Sequence, residues 1–245
     1  MIRSLGIYAF VIIHSILFSL WGILLSFFDK SGSKTHFLCA VPWAKVILWV
    51  SGIRAKVTWR GGIDAGVPRI YMSNHQSIFD IFAILAYLPV GFKFVLKQEL
   101  MKIPLLGPAM RRAGYIGIER KEPRKAVQSI KVAAERIRNG ASVLIFPEGT
   151  RSLDGRLGEF KRGGFNLALK SGCDIVPVAI SNSYRILPKD RLRINRTPLS
   201  ICFGRPIPVR GYTKKTMPDL MDRVRRAMIE QMEEDQRVNN GGPTS

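Results

Sequence analysis

The chain reads as an α/β protein, with a largely parallel central sheet flanked by helices behind an N-terminal membrane-embedded two-helix element. Three observations predict this. Short apolar runs alternate with longer runs of helical period, which is the pattern of strand–helix–strand units. Some of the short runs, 142–146 above all, are apolar at nearly every position, as strands covered on both faces are. Residues 5–28 are almost uninterrupted apolar sequence, long enough to reach through a bilayer. The expected division is 1–53 for the membrane element, 54–238 for the α/β domain and 239–245 for a loose tail.

As a helix, residues 5–28 would be about 36 Å long, against roughly 30 Å for a hydrocarbon core. A signal peptide would have a shorter apolar stretch and a small-residue cleavage site, whereas this run ends in Phe27-Phe28-Asp29-Lys30. Residues 37–50 are too short to span and carry Lys45 near the middle, so with Trp43 and Trp49 they read as an interfacial helix. Either the first helix spans, or the two dip into one leaflet as a hairpin.

Residues 56–60 alternate and end at Gly61-Gly62, the mark of an edge strand and turn. Residues 69–72 read as a buried strand, and 81–88 as a helix stopped by Pro89. A strand over 92–96 follows, then a stretch broken by Pro104, Gly107 and Pro108, then a strand over 115–118. The clearest helix covers 123–139, with Pro123 in its first turn, Val127, Ile130, Ala134 and Ile137 on one face, and Asn139-Gly140 as its stop. Strand 142–146, helix 165–170, strand 175–180 and strand 199–203 come next. Pro177 lacks a ladder donor, which places its strand at an edge or a bulge. Residues 218–237 form a charged helix with a narrow stripe of Leu220, Val224, Ala227 and Met228 that docks on the body.

Composition narrows the function. The 245 residues include 38 Lys and Arg against 18 Asp and Glu, a formal charge of +20. That balance calls for a polyanionic partner: nucleic acid, an anionic membrane surface or phosphorylated substrates. Cys39, Cys173 and Cys202 are scattered and odd in number, which argues against a disulfide framework and a structural zinc site. The catalytic part is therefore expected to face a reducing cytosol.

Two polar segments leave predicted strands. In Asn74-His75-Gln76-Ser77-Ile78-Phe79-Asp80, His75 is the only histidine outside the membrane element. A neutral imidazole can take a proton from an alcohol, provided a carboxylate fixes its tautomer. Asp80, in the first turn of the next helix, tilts back toward it. Ser77-Ile78-Phe79-Asp80 is equally a capping box with Ser77 as the N-cap, and locally the two readings stand level. The second segment is Pro147-Glu148-Gly149-Thr150-Arg151-Ser152. Gly149 lets backbone approach a ligand, and exposed N–H groups, the Thr150 hydroxyl and the Arg151 fork form a phosphate cradle. Lys97 and Arg120 sit just past strands and add charge, although Arg120 could instead pair with Glu119 or Glu122. Lys161 and Arg162 read as solvated surface.

These segments, the second taken from Phe146, lie about seventy residues apart and, in this order, resemble the motif pair of the 1-acylglycerol-3-phosphate acyltransferase family. Lys97-x-Glu99-Leu100 through Ile118-x-Arg120 is similar to a further block of that family, and Ile175-Val176-Pro177-Val178-Ala179 to another, with no departure in the motif residues. The similarity covers about 69–203, and the N-terminal apolar pair resembles the family's membrane-embedded element. The resemblance implies that His75 is the general base and Asp80 its orienting partner. It implies acyl transfer from acyl-CoA or acyl-acyl-carrier-protein to the sn-2 hydroxyl of lysophosphatidic acid, giving phosphatidic acid in phospholipid synthesis. The acceptor phosphate would be held by Gly149, Thr150 and Arg151 with Lys97 and Arg120, and Glu148 would touch a glycerol hydroxyl or brace Arg151. No cofactor and no metal are implied beyond the thioester co-substrate. The implied setting is a bacterial inner membrane, the domain on its cytoplasmic face among membrane lipids, with no nucleic-acid partner.

Other readings use fewer residues. Glycerol-3-phosphate or another lysolipid fits the same motifs as acceptor. A basic nucleic-acid-binding protein rests on charge alone, because aromatics are not interleaved with the cations. A serine hydrolase using Ser77 lacks a Gly-x-Ser-x-Gly elbow.

Overall fold

The alternating apolar runs assemble into one seven-stranded sheet in a computed structural model that describes residues 2–29, 31–119, 122–188 and 191–239. The strands are β1 (Ala55–Trp59), β2 (Ile70–Ser73), β3 (Phe92–Lys97), β4 (Ile116–Ile118), β5 (Ser142–Ile145), β6 (Ile175–Ser181) and β7 (Leu199–Phe203). Their order across the sheet is β1-β7-β6-β2-β5-β3-β4. The five strands from β6 to β4 run parallel. β7 reverses against β6 and pairs parallel with β1, which forms one edge.

Seven helices are named here: α1 (Ile2–Ser26), α2 (Val41–Ser51), α3 (Phe79–Tyr87), α4 (Leu106–Arg112), α5 (Pro123–Arg138), α6 (Arg162–Ser171) and α7 (Met217–Asn239). A π-helical segment, His36–Ala40, leads into α2. Side chains alternate across a strand, so each central strand feeds two cores. Tyr71, Leu144, Phe94 and Val178 face α2 and α3, packing with Ile47, Leu48, Ile84 and Leu85. Ile70, Met72, Val143 and Ile145 face α5, α6 and α7, packing with Ile137, Phe165, Leu167, Leu220 and Val224.

One expectation narrows to its bulge branch and one changes. β6 is an interior strand, so Pro177 is not at an edge. It lies at a gap in the β6–β7 pairing: between Ile175↔Ile207 and Val178↔Phe203, residues 176–177 face residues 204–206. One extra residue bulges the partner chain there, and the missing N–H falls in the gap. Residues 106–112, read as broken chain, form α4. Pro108 stands in its first turn, where a helix needs no N–H. Gly107 serves packing, since a Cβ there would lie 2.1 Å from the Met101 carbonyl oxygen. The tail expected at 239–245 falls outside the described residues from 240 onward.

α1 lies along the body for its whole length. At its start, Arg3 donates to the carbonyls of Ile194 and Ser51, and the Ser4 hydroxyl accepts from the Ile194 N–H. In the middle, Trp43 Nε1 donates to Ser15 Oγ. Near its end Cys39 packs on Gly22, and the Arg112 guanidinium lies over the Phe27 ring. The buried positions are Ser4, Ile7, His14, Ser19 and Gly22, mostly small or polar. The bulky apolar ones, Leu5, Ile12, Ile13, Ile16, Leu17, Leu20, Trp21 and Leu24, face outward. That inverts the helix of a water-soluble domain and leaves a large contiguous apolar face, the kind that marks a membrane contact.

Gly107→Ala is expected to destabilise the protein by about 1–3 kcal/mol through overpacking. Thermal melts should show a drop of about 2–4 °C for each of those kcal/mol, and an unchanged melt would mean that the Met101 turn yields freely.

Candidate active site

β2, β5 and β3 are adjacent and parallel, so the segments leaving their carboxyl ends emerge side by side. Open α/β sheets bind ligands at that edge. The 74–80 corner follows β2, the 146–152 loop follows β5, and Lys97 ends β3.

The corner is fixed residue by residue. Asn74 Nδ2 donates to the Ile180 carbonyl at 2.8 Å, and its Oδ1 accepts from the Ile180 N–H at 2.7 Å. The side chain thus continues the β2–β6 ladder where the backbone turns away. Gln76 Nε2 donates to the Gly155 carbonyl at 2.9 Å, and its Oε1 accepts from Ser183 Oγ at 3.3 Å.

Asp80 is fully buried, and its Oδ2 receives three donors: His75 Nδ1 at 2.8 Å, the Gln76 N–H at 2.6 Å and the Ser77 N–H at 2.8 Å. The dyad and the helix cap are therefore one arrangement. The Ser77 half of the capping box does not form: its hydroxyl is buried with no partner among the described residues, and the Asp80 N–H goes to the Ser77 carbonyl at 3.2 Å. An oxygen accepting from two backbone amides requires a proton on the ring nitrogen facing it. Nε2 is then the bare nitrogen, a tautomer suited to accepting a proton. Phe146 supports the ring, stacked at 4.0 Å between centroids and 19° between planes.

Glu148 departs from expectation. Oε1 accepts from the His75 N–H at 2.8 Å and Oε2 from the Gly158 N–H at 2.7 Å. With both oxygens held by backbone, it neither lines the cavity nor pairs with Arg151. It is a brace joining the two loops, and the Ser152 N–H adds a second tie to the His75 carbonyl at 2.7 Å. Burial raises its pKa, with the Gly158 and His75 amides opposing. Gly158 is a site residue with no signal in the sequence; a Cβ there would come within 2.8 Å of Glu148 Oε2. Asn74, Gln76 and Phe146 were also missed as positioning residues, although all three lie inside the two motifs.

His75, Lys97, Gly149, Thr150 and Arg151 all line one cavity of about 730 Å³. Its remaining walls are mainly apolar: Val11 and Phe18 of α1, Trp43 of α2, Phe82 and Leu85 of α3, and Met110 of α4. Gly149 adopts φ +71°, open to glycine at no steric cost. Lys161 and Arg162 are exposed and do not line the cavity. Arg120 lies outside the described residues. No group of three or more His, Cys, Asp or Glu side chains among the described residues converges as metal ligands do. A cavity of this size suits a lipid-like ligand, with a few polar groups at one end to fix its orientation.

A family model described as Acyltransferase matches residues 54–181. A chloroplastic 1-acyl-sn-glycerol-3-phosphate acyltransferase of Arabidopsis thaliana is 37% identical over 167 residues, covering 66% of this chain and 45% of that protein. The Homo sapiens 1-acyl-sn-glycerol-3-phosphate acyltransferase alpha is 32% identical over 197 residues, covering 80% of this chain and 70% of the other. The chain thus spans about half the length of the Arabidopsis protein and more of the human one. Among solved structures, the 1-acyl-sn-glycerophosphate (LPA) acyltransferase PlsC from Thermotoga maritima superposes with a TM-score of 0.80 at 25% identity, covering 96% of this chain and 95% of that one.

Ser77→Ala tests both local roles of this serine. An unpartnered buried hydroxyl costs about 1–3 kcal/mol, so the variant should melt at the same temperature or higher and retain its activity. A marked loss of stability would restore the capping role, and lost turnover a nucleophilic one.

Proposed function

The chain belongs to the acyltransferase family, and on that footing we propose that it transfers a fatty acyl chain from an acyl thioester to the sn-2 hydroxyl of 1-acyl-glycerol-3-phosphate. The product is phosphatidic acid, and the donor is acyl-CoA or acyl-acyl-carrier-protein. One observation carries this reading: a carboxylate-held imidazole and a cationic, glycine-hinged loop line one cavity whose other walls are mainly apolar.

Each group has a part in the step. Nε2 of His75 takes the proton of the sn-2 hydroxyl as that oxygen attacks the thioester carbonyl. The tetrahedral centre collapses, the carbon–sulfur bond breaks, and the imidazolium returns its proton to the leaving thiolate. Asp80 holds the tautomer and stabilises the imidazolium, as the carboxylate of a catalytic triad does. Lys97, Thr150 and Arg151 surround the acceptor phosphate, Gly149 lets the chain approach it, and Arg120 is assigned there on sequence alone. Glu148 acts through His75, holding its backbone. The step uses only these side chains and the thioester, with no metal and no further cofactor.

The relatives are named for 1-acyl-sn-glycerol-3-phosphate, which favours that acceptor over glycerol-3-phosphate or another lysolipid. The lengthwise docking of α1 favours a helix lying in one leaflet over one that spans. A spanning helix would separate Arg3 from Phe27 by the membrane core, yet the same body contacts both. The charge of +20 suits the anionic cytoplasmic leaflet.

Turnover by purified protein in mixed micelles, with one labelled acyl thioester and a panel of acceptors, tests the reading directly. His75→Ala should lower kcat by about 10²–10⁴-fold. Asp80→Asn keeps an acceptor oxygen for the helix start, so it should lose a comparable factor in kcat while its melting temperature falls little. Asp80→Ala should lose both. Full activity in Asp80→Asn would remove the dyad from the mechanism. Arg151→Ala should raise KM for the phosphorylated acceptor about tenfold or more, consistent with the loss of a charged hydrogen bond, and leave KM for the donor unchanged. The reverse pattern would move Arg151 to the donor side.

A further inference from the structure

We propose that the loop preceding β7, centred on residues 191–196, is a second membrane-contacting element that binds the headgroups of anionic lipids beside the amino end of α1. This rests on the reading that α1 lies in the plane of a bilayer.

The observation is a cluster that the catalytic site does not use. Arg191, Leu192, Arg193 and Arg196 are all exposed, and Leu192 is 81% exposed. An almost fully exposed leucine between two arginines is poorly placed in water. The loop is clamped to α1: the Ile194 N–H donates to Ser4 Oγ at 3.1 Å, and Arg3 donates to the Ile194 carbonyl at 3.3 Å. Arg3 also reaches the Ser51 carbonyl, and the Arg196 side chain lies against Gly52. Three chain segments therefore meet at one point. Each carries a bulky apolar residue into the open within two residues of that contact: Ile2 at 89% exposure, Trp49 at 79% and Leu192.

Charge supplies the second half. Arg3, Arg54, Arg191, Arg193 and Arg196 lie on the three segments that meet here, and residues 2–16, 47–56 and 191–199 contain no acid. Arg196 is close enough to Arg3 for the two charges to repel. No carboxylate among the described residues pairs with Arg191, Arg193 or Arg196. Lys189 and Asp190 lie outside the described residues, and their charges cancel. Cations held together with no paired carboxylate among the described residues attract a dense layer of phosphate. A leucine and a tryptophan among them sit where an interface takes such side chains. An acidic protein partner would also answer the charge. It would not explain three bulky apolar side chains in the open around those cations, one of them Ile2 on the exposed apolar face of α1, and a bilayer answers both features.

The test is flotation of the detergent-purified full chain with vesicles of phosphatidylcholine alone, or with about one-third phosphatidylglycerol, at low and high salt. Each surface cation is worth about fivefold in binding to an anionic membrane. Arg191→Gln/Arg193→Gln should therefore lose roughly twentyfold of the preference for anionic vesicles, keep its affinity for neutral ones, and show a weaker salt dependence. Leu192→Ser should weaken binding to both vesicle types. Melting temperature, and turnover on a short-chain acceptor in neutral micelles, should stay at the wild-type level in both variants. An unchanged vesicle preference in the double variant overturns the proposal. So does an intact preference accompanied by a selective loss of turnover with acyl-carrier-protein donors, which would assign the surface to an acidic protein. Vesicle binding is read without acyl transfer, so a failure of the proposed reaction would leave this result standing.

Discussion

One carboxylate oxygen holds the active corner together. Asp80 Oδ2 takes the His75 ring and the two backbone amides, of Gln76 and Ser77, just ahead of α3. Helix start and ring orientation therefore cannot be adjusted separately, because moving the carboxylate toward either partner stretches the other. The arrangement costs no extra residue, since an acidic side chain in a first helical turn is favoured by the helix dipole in any case. Buried and enclosed, the same oxygen is screened little by solvent, which strengthens all three contacts.

Around it the structure spends polar side chains on backbone. Asn74 ties the corner to β6, Gln76 to the loop at Gly155, and Glu148 joins His75 to Gly158. Asn74, Gln76 and Glu148 each satisfy backbone groups that would otherwise be left unpaired where β2 and β5 end. The motifs are long for this reason. They carry the groups proposed to react together with the supports that hold them in place, as productive geometry requires.

Much of this was legible in the chain itself. The strands were visible because strands covered on both faces leave short apolar runs, and parallel order placed His75, Lys97 and the 148–151 loop on a common edge. The reversal of β7 was not legible, since direction is decided by how a strand packs and not by its composition. α4 was hidden because Gly107 and Pro108 read as breakers, and only the approach of the Met101 carbonyl explains the glycine. Glu148 looked like a ligand contact because a carboxylate beside a cationic loop invites that reading. Its true partners are backbone amides, which carry no sequence signal. The dyad and the cap could not be told apart from spacing because they share an atom.

The inverted α1 has a consequence for how the protein could be simplified. Val11 and Phe18 on its inner side are walls of the chamber, while its outer side is a long apolar surface. The segment that one would trim to obtain a freely soluble protein is therefore also a wall of the cavity that His75 lines. Cutting it away would flood the chamber and bare Trp43 and Phe82 to solvent, so solubility and a dry interior are mutually exclusive in this architecture.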